Sequence, residues 1–344
     1  MACAGRGQFM KETATVVIPN YNGGQFLEKC LDSLARQSYR AFRVLVIDNG
    51  SEDNSREILE RYREGDFPVP LEVDYLGENT GFSGAVNRGI RESGTPYVIL
   101  LNNDVECDEF YVAELVRAIA HSPRIFSVSP KMIQMAHPEL IDDAGDMYSV
   151  MGWAYQRGVG QSIRRYRKGS MIFSACAGAA IYRRSVFREI GDFDEMHFAY
   201  LEDIDVGYRA KIYGYDNLYC PSAKVFHVGS GTSGSKYNPF KVRLAARNNV
   251  YLNWKNMPLP QLIFNLPAIA LGTAVKSVFF ARRGFGRDYV SGLLEGIRTA
   301  GRARRVPYRP EHLKNYLLIE GELIYGALLY CWEFFRRKVH DGLQ

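Results

Sequence analysis

Residues able to do chemistry collect at five places in the chain. Asp48 closes an apolar run at 42–47 and is followed by Asn49-Gly50-Ser51-Glu52-Asp53. A carboxylate at a strand end beside a glycine turn can accept the imide N–H of a uracil or thymine ring; it can equally cap its own turn. Residues 77–87 read Gly-Glu-Asn-Thr-Gly-Phe-Ser-Gly-Ala-Val-Asn and run into Arg88. Gly81, Gly84 and Ala85 let a helix start approach a ligand, and its N-terminus with Arg88 suits a diphosphate, although helix–sheet packing also uses small residues. In Leu100-Leu101-Asn102-Asn103-Asp104 an apolar strand runs into a carboxylate. Strand alternation would turn Asn102 and Asp104 to one side, where Mg²⁺ or Mn²⁺ could be shared with substrate phosphates. Glu202-Asp203-Ile204-Asp205 places three carboxylates at a helix start, one or two more than the helix dipole asks for, and supplies a general base. Finally, His227 follows an apolar run and precedes Val-Gly-Ser230-Gly-Thr-Ser-Gly, a loop of N–H donors and hydroxyls suited to a metal or phosphate.

The elements that must position these groups alternate. Residues 15–19 and 42–47 are β-branched or apolar runs that end in polar turns, and 26–34 and 54–62 follow with helical spacing, the second helix capped near Ser51 or Asp53. A strand at 71–76, a helix at 82–92 and a strand at 97–101 continue the pattern. This predicts an α/β fold with a doubly wound, mostly parallel sheet flanked by helices. Ligands of such sheets lie beyond the strand carboxyl ends, so Asn20 and Asn22, Asp48, Asn79, and 102–104 should converge on one crevice. Past residue 122 the periodicity blurs, with a strand expected at 128–133 and an excursion at 145–169 read as acceptor-side structure. Regularity returns at 175–182, 184–190 and 203–213.

Length and charge divide the chain. Its 344 residues exceed what one core usually fills, which predicts a catalytic domain at 1–245 and a helical extension at 246–344. The first part carries 28 basic and 31 acidic residues, the second 15 and 7, so the body is −3 and the tail +8. In the tail, the apolar stretch 263–280 contains Asn265, Pro267 and Lys276 and is followed by Arg282, Arg283 and Arg287; 316–335 is a second apolar stretch. That pattern fits an interfacial helix on an anionic membrane better than a spanning one or a nucleic-acid site, with packing on the body or oligomerisation as the alternative. Six scattered cysteines without a Cys-x-x-Cys pair give neither a zinc site nor a disulfide framework, and residues 1–15 lack the apolar core of a secretory signal. A cytoplasmic enzyme, peripheral on the inner membrane face, is expected.

Taken in order, the five places resemble the inverting family-2 glycosyltransferases of GT-A fold. The resemblance rests on Val-Val-Ile-Pro19-Asn20-Tyr-Asn22, strand-end Asp48, Asn79-x-Gly81-Phe-x-x-Ala-x-Asn87, Asn102-Asn103-Asp104, Glu202-Asp203-x-Asp205 and His227. Within that family the chain looks most like the bacterial rhamnosyltransferase and galactofuranosyltransferase branch that builds cell-surface polysaccharide. The resemblance implies that Asp48 reads the nucleobase, that Asp104 and His227 hold Mn²⁺ or Mg²⁺ at the diphosphate, and that Asp203 is the base. Pro19, Asn20, Asn22, Asn79, Gly81, Arg88, Asn102, Asn103, Glu202 and Ser230 would then line the donor site. The donor would be a dTDP- or UDP-sugar and the acceptor a glycan or lipid-linked glycan. One departure is that the family's Asp-x-Asp is Asn102-x-Asp104 here, leaving a single acidic ligand. A sugar nucleotidyltransferase would instead place a basic glycine-rich loop after the first strand, and a noncatalytic binding module would keep the fold without turnover. No Gly-x-Gly-x-x-Gly follows that strand, which argues against a dinucleotide oxidoreductase.

Overall fold

The computed structural model describes residues 13–229 and 237–341, with side chains as far as residue 335. Three strand–helix units open it: β1 (Ala14–Asn20) and α1 (Gly24–Ala35), β2 (Phe42–Asp48) and α2 (Ser55–Glu64), β3 (Leu71–Tyr75) and α3 (Gly81–Glu92). There follow β4 (Tyr97–Leu101), β5 (Val105–Cys107), α4 (Tyr111–Ala120), β6 (Ile125–Gln134), β7 (Ile141–Asp143), β8 (Asp146–Tyr148), β9 (Ala154–Gln156) and β10 (Ser170–Met171). Then come β11 (Ala179–Arg183), α5 (Arg184–Ile190), α6 (Glu202–Ile212), β12 (Asp216–His227) and four C-terminal helices, α7 (Pro239–Asn256), α8 (Leu259–Arg282), α9 (Gly286–Thr299) and α10 (Leu313–Asp341).

The main path of the large sheet runs β10-β12-β6-β11-β4-β1-β2-β3. Its β4-β1-β2-β3 half is parallel, as expected, but β11 enters antiparallel between β4 and β6, so the whole sheet is mixed. A strand buried on both faces reads as a continuous apolar run in either direction, and the sequence therefore does not announce the reversal. Alternation decides the two cores. Val16, Ile18, Val44, Val46, Ile99 and Leu101 pack toward α1, α2 and α4, while Val17, Leu45, Ile47, Val98 and Leu100 pack toward α3, α5 and α6. Pro19 sits beyond the last β1–β4 pair, Val17–Leu100, where its missing N–H costs no ladder bond.

The boundary expected at 246 falls inside α7. That helix is continuous with both parts: its Leu252 shares a core with Tyr148, Phe173, Ile204 and Tyr208 of the body and with Tyr316, Ile319 and Leu323 of α10. The helix α8 is turned the other way. Its buried residues are Asn265 and Gly272; Asn265 donates to Glu320 of α10 at 2.9 Å and Gly272 accepts from Trp153 at 3.1 Å. Ile263, Phe264, Leu266, Leu271, Val275, Val278 and Phe279 are exposed. It runs unbroken through Pro267 for 24 residues and, among the described residues, is the one helix long and apolar enough to cross a membrane.

Candidate active site

Three strand ends are tied by one side-chain chain. Asn103 donates through Nδ2 to Asn20 Oδ1 at 2.6 Å, and Asn20 donates through Nδ2 to Asp48 Oδ2 at 2.9 Å, linking the ends of β4, β1 and β2. The other Asp48 oxygen accepts from Ser51 N at 3.0 Å, and Ser51 Oγ accepts from Asn20 and from Asn22 N. Gly23 is required by closeness, since a Cβ there would lie 1.9 Å from Asn103 Nδ2. Asn22 takes a left-handed φ of 49° and caps Glu52 N at 2.8 Å. The Asn79 loop is stapled by buried Asn49, whose Nδ2 donates to Asn79 Oδ1 and Gly81 O and whose Oδ1 accepts from Thr80. Gly81, at φ +75°, admits Phe198, whose ring would lie 2.5 Å from an added Cβ. The N-cap region of α2 resolves to Asp53, whose carboxylate accepts from Ser55 N and Gly24 N and is held below the usual range by those bonds, against the opposing pull of partial burial.

Residues 102–104 form a turn, not a strand, so the alternation expected for Asn102 and Asp104 does not apply. Asn102 lies against Gly178, with its own N–H on Gly178 O at 2.8 Å, while Asp104 faces His227. The Asp104 Oδ1 atom is buried, has no hydrogen-bond partner among the described residues, and lies 3.6 Å from His227 Nε2. His227 Nδ1 is bonded to Asp142 Oδ2 at 2.7 Å, which fixes the ring and leaves Nε2 toward Asp104. Burial opposes a charged imidazole, but the Asp104 and Asp142 carboxylates outweigh it and raise its pKa to about 10. A buried carboxylate oxygen without a hydrogen bond among the described residues, beside an oriented ring nitrogen whose proton a bound cation would displace, is a donor set that fits a divalent cation.

Asp203 stands at the start of α6. Its Oδ1 accepts from Ile204 N at 2.8 Å and its Oδ2 from Ala177 N at 3.3 Å, so it faces the 176–178 loop that also touches Asn102. Burial raises its pKa despite those backbone bonds, and burial with the neighbouring Asp203 charge raises that of Glu202. Asp205, the third carboxylate of the helix start, is neutralised by cations. It pairs with Arg209 at 2.8 Å and Lys255 of α7 at 3.0 Å and accepts from Asn256 at 2.7 Å. These cations overcome the cost of burial and hold its carboxyl well below the usual range. Asp143 and Asp146, which the sequence reading passed over, complete an acidic wall. Asp143 is fully buried with Oδ2 unpartnered among the described residues, and burial plus the Asp142 charge push it up to about 8. Asp146 is raised by burial and then by the charges of Asp143, Asp203 and Glu202. The run Asp142-Asp143-x-x-Asp146, three acids beside apolar residues, was the available signal.

Arg88 does not join this group. It lies two turns along α3, exposed, paired with Asp74 at 2.6 Å and Glu92 at 3.4 Å. Ser230 lies outside the described residues.

Residues 15–191 match the model of Glycosyl transferase family 2. The chain is 31% identical over 255 residues to an N-acetylglucosaminyl-diphospho-decaprenol L-rhamnosyltransferase of Mycobacterium tuberculosis, covering 65% of this chain and 79% of that protein. Its fold is shared by a mannosyltransferase from Pyrobaculum calidifontis bound to GDP-Man and Mn²⁺ (TM-score 0.54, 17% identity, 94% of this chain and 88% of that one). It is shared too by GalNAc-T7 bound to UDP, GalNAc and Mn²⁺ (TM-score 0.58, 18% identity, 70% of this chain and 47% of that one). With a matching family model over more than half its length and a relative of that identity, the chain belongs to glycosyl transferase family 2, on its rhamnosyltransferase branch.

Proposed function

We propose that the protein moves a hexose, rhamnose or a similar sugar, from a dTDP- or UDP-sugar to a hydroxyl of a lipid-linked or cell-surface glycan, with inversion at the anomeric carbon. The single observation that carries this reading is the placement of Asp203 on the 176–178 loop, whose other side holds Asn102 and so adjoins the Asp104–His227 pair. A base on one wall and a diphosphate site on the other suit attack on the anomeric carbon from the face opposite the leaving group, without a covalent intermediate.

Asp203 takes the proton from the acceptor hydroxyl as the new glycosidic bond forms. The raised pKa keeps its basicity nearer neutrality than that of an ordinary carboxylate. Glu202, at the start of the same helix, lies beside the base, and the buried Asp143 and Asp146 behind it add their charges to the acidic surroundings of Asp203. Asp48, with the Asn20–Asn103 chain and the Asn49-stapled loop, presents carboxylate and amide groups to the base. Asp104 Oδ1 and His227 Nε2 would hold Mn²⁺ or Mg²⁺, and such a cation when bound offsets the charge of the departing diphosphate. The relative's name includes a diphospho-decaprenol acceptor, which supports a polyprenyl-linked acceptor here.

The outward apolar face of α8, with Leu317, Leu318, Leu328 and Trp332 also exposed on α10 and exposed Arg282, Arg283 and Arg287 after its apolar stretch, supports peripheral attachment to the inner leaflet, where such an acceptor resides. The experiment that tests the activity is nucleoside-diphosphate release from a panel of UDP-, dTDP- and GDP-sugars with a polyprenyl-diphospho-N-acetylglucosamine acceptor. Acceptor-dependent release with a UDP- or dTDP-sugar is the expected result. Release of pyrophosphate from a sugar phosphate and a nucleoside triphosphate would establish a nucleotidyltransferase instead.

A further inference from the structure

The segment that delivers Glu202 and Asp203 to the crevice is under backbone strain. Phe198, Tyr200 and Leu201 have φ of 62°, 71° and 67°, three side-chain-bearing residues in the region that favours glycine, within four positions of the chain. Phe198 combines its φ of 62° with ψ of −58°, and Ala199 N donates to His197 O at 2.7 Å, which makes a γ-turn of the rare, strained hand. Leu201, left-handed, is the N-cap of α6 and makes no side-chain cap bond. A chain of this kind returns to ordinary dihedrals unless its surroundings hold it.

What holds it comes from α7, at the start of the helical extension expected over 246–344. Asn248 is wholly buried, and its Nδ2 donates to His197 O at 2.9 Å, Ala199 O at 2.8 Å and Tyr200 O at 2.8 Å. Arg247 Nη2 donates to Met196 O at 3.0 Å and His197 O at 3.1 Å, and its Nε donates to Asn248 Oδ1 at 3.0 Å, fixing which way the amide points. Two adjacent side chains thus satisfy four of the five successive backbone carbonyls from Met196 to Tyr200, all but that of Phe198. The Phe198 carbonyl accepts instead from Ser83 N at 3.2 Å, at the start of α3 beside Gly81. One strained segment is therefore gripped between the expected nucleotide-side helix and α7.

We propose that Asn248, braced by Arg247, is a positioning residue for glycosyl transfer: it holds 197–201 in the strained form that seats Asp203, half-buried, against the 176–178 loop. The inference rests on the reading of Asp203 as the base. Asp203 is faced by Glu202 of its own helix, Asp143 of β7, Asp146 of β8, Cys176 of the loop before β11, and Tyr182 of β11. Asp205 points away onto Lys255 and Arg209. Relaxing the segment exposes the half-buried Asp203 further to water and moves its pKa toward the ordinary value, so a positioning role moves the acid limb of kcat as well as its height.

The full-length Asn248→Ala variant tests this, with Asn248→Ser, which keeps one donor, as the milder change. Expected for Asn248→Ala are a fall in kcat of about 10²-fold, a donor KM within roughly threefold of wild type, and an acid limb displaced to lower pH. Asn248→Ser should lie between the two on each measure, and it decides the matter if Asn248→Ala does not fold. An unchanged kcat, a loss of kcat with an unmoved acid limb, or a rise in donor KM that matches the loss would each overturn the proposal. Asp203→Asn measured alongside separates the two readings: if that variant keeps full activity, Asp203 is not the base, whatever Asn248 does.

Discussion

At the scale of single residues, the crevice separates three carboxylates that the sequence sets side by side. Glu202, Asp203 and Asp205 lie within four positions, yet Asp205 is committed to Lys255, Arg209 and Asn256, Glu202 is buried with one oxygen lacking a hydrogen bond among the described residues, and Asp203 faces the 176–178 loop. Asp203→Asn should therefore lower kcat by about 10²–10⁴-fold with donor affinity largely kept, whereas Glu202→Gln should do less. Equal loss from Glu202→Gln with none from Asp203→Asn would transfer the role. Because the pKa of Asp203 is raised by burial and the base must be deprotonated to act, the wild-type kcat profile should fall on the acid side above the ordinary carboxylate range. If Asp104 and His227 hold the cation as proposed, Asp104→Ala should abolish turnover and EDTA should inactivate the wild type, with Mn²⁺ or Mg²⁺ restoring it. Activity of wild type unaffected by EDTA would remove the cation from the reaction. Asp48, Asp104, Asp203 and His227 stand out as candidates in the sequence because Asp48 and His227 end strands, Asp203 lies at a helix start and Asp104 follows an apolar strand by three residues. The partners that orient them do not: Asp142 lies 85 positions from His227, and nothing local in a sequence pairs residues at that distance.

At the scale of elements, the strand–helix alternation to residue 101 was readable to within a residue or two, because period and turn residues agree there. The segment 102–104 defeated the alternation argument because its strand had already ended. The strained connection 196–201 and its clamp were invisible, since left-handed dihedrals at Phe, Tyr and Leu are what propensity advises against. Under that connection lies His197, fully buried, with both ring nitrogens unpartnered among the described residues and its ring edge-on to Tyr251. Burial lowers its pKa to about 4, and the Lys255 charge adds to that against the opposing Asp205. The unfolded chain binds this proton near pH 6.5 and the folded chain near pH 4, so stability is full above that window and falls as pH drops through it. The loss from this residue alone is about 3 kcal/mol by pH 4. A His197→Leu variant should lose less stability than wild type between pH 6.5 and pH 4 in chemical denaturation. Parallel slopes for the two proteins would show that the ring does not titrate in that way. Beside it, Lys255→Met removes a buried cation shared by Asp194 and Asp205 and should cost about 3–5 kcal/mol, read as a fall in denaturation midpoint at neutral pH.

At the scale of the whole molecule, the C-terminal region serves two surfaces at once. Its inner side is built into the catalytic part through Asn248, Lys255 and Asn256 of α7, so cutting the chain near residue 250 would remove Lys255 and Asn256 and damage the site itself. Its outer side reverses the usual pattern of a helix on a water-soluble protein: α8 turns Asn265 toward Glu320 and leaves Phe264 at 72% and Ile263 at 68% exposed. Burying such side chains is worth roughly 1.5–3 kcal/mol each, so the face is costly in water and favourable against lipid, and each basic residue near an anionic leaflet adds about 1 kcal/mol. The test should leave the fold intact, which point substitutions on the outer face of α8 do and truncation does not. Full-length protein should float with anionic vesicles and be partly released by high salt. A Phe264→Glu, Leu271→Glu, Val275→Glu variant should stay in the soluble fraction while still releasing diphosphate with a short-chain, water-soluble acceptor. Should the wild type stay behind and instead sediment as a dimer that the same three substitutions dissociate, the face would join two copies of the chain, and lipid attachment would be excluded as its use.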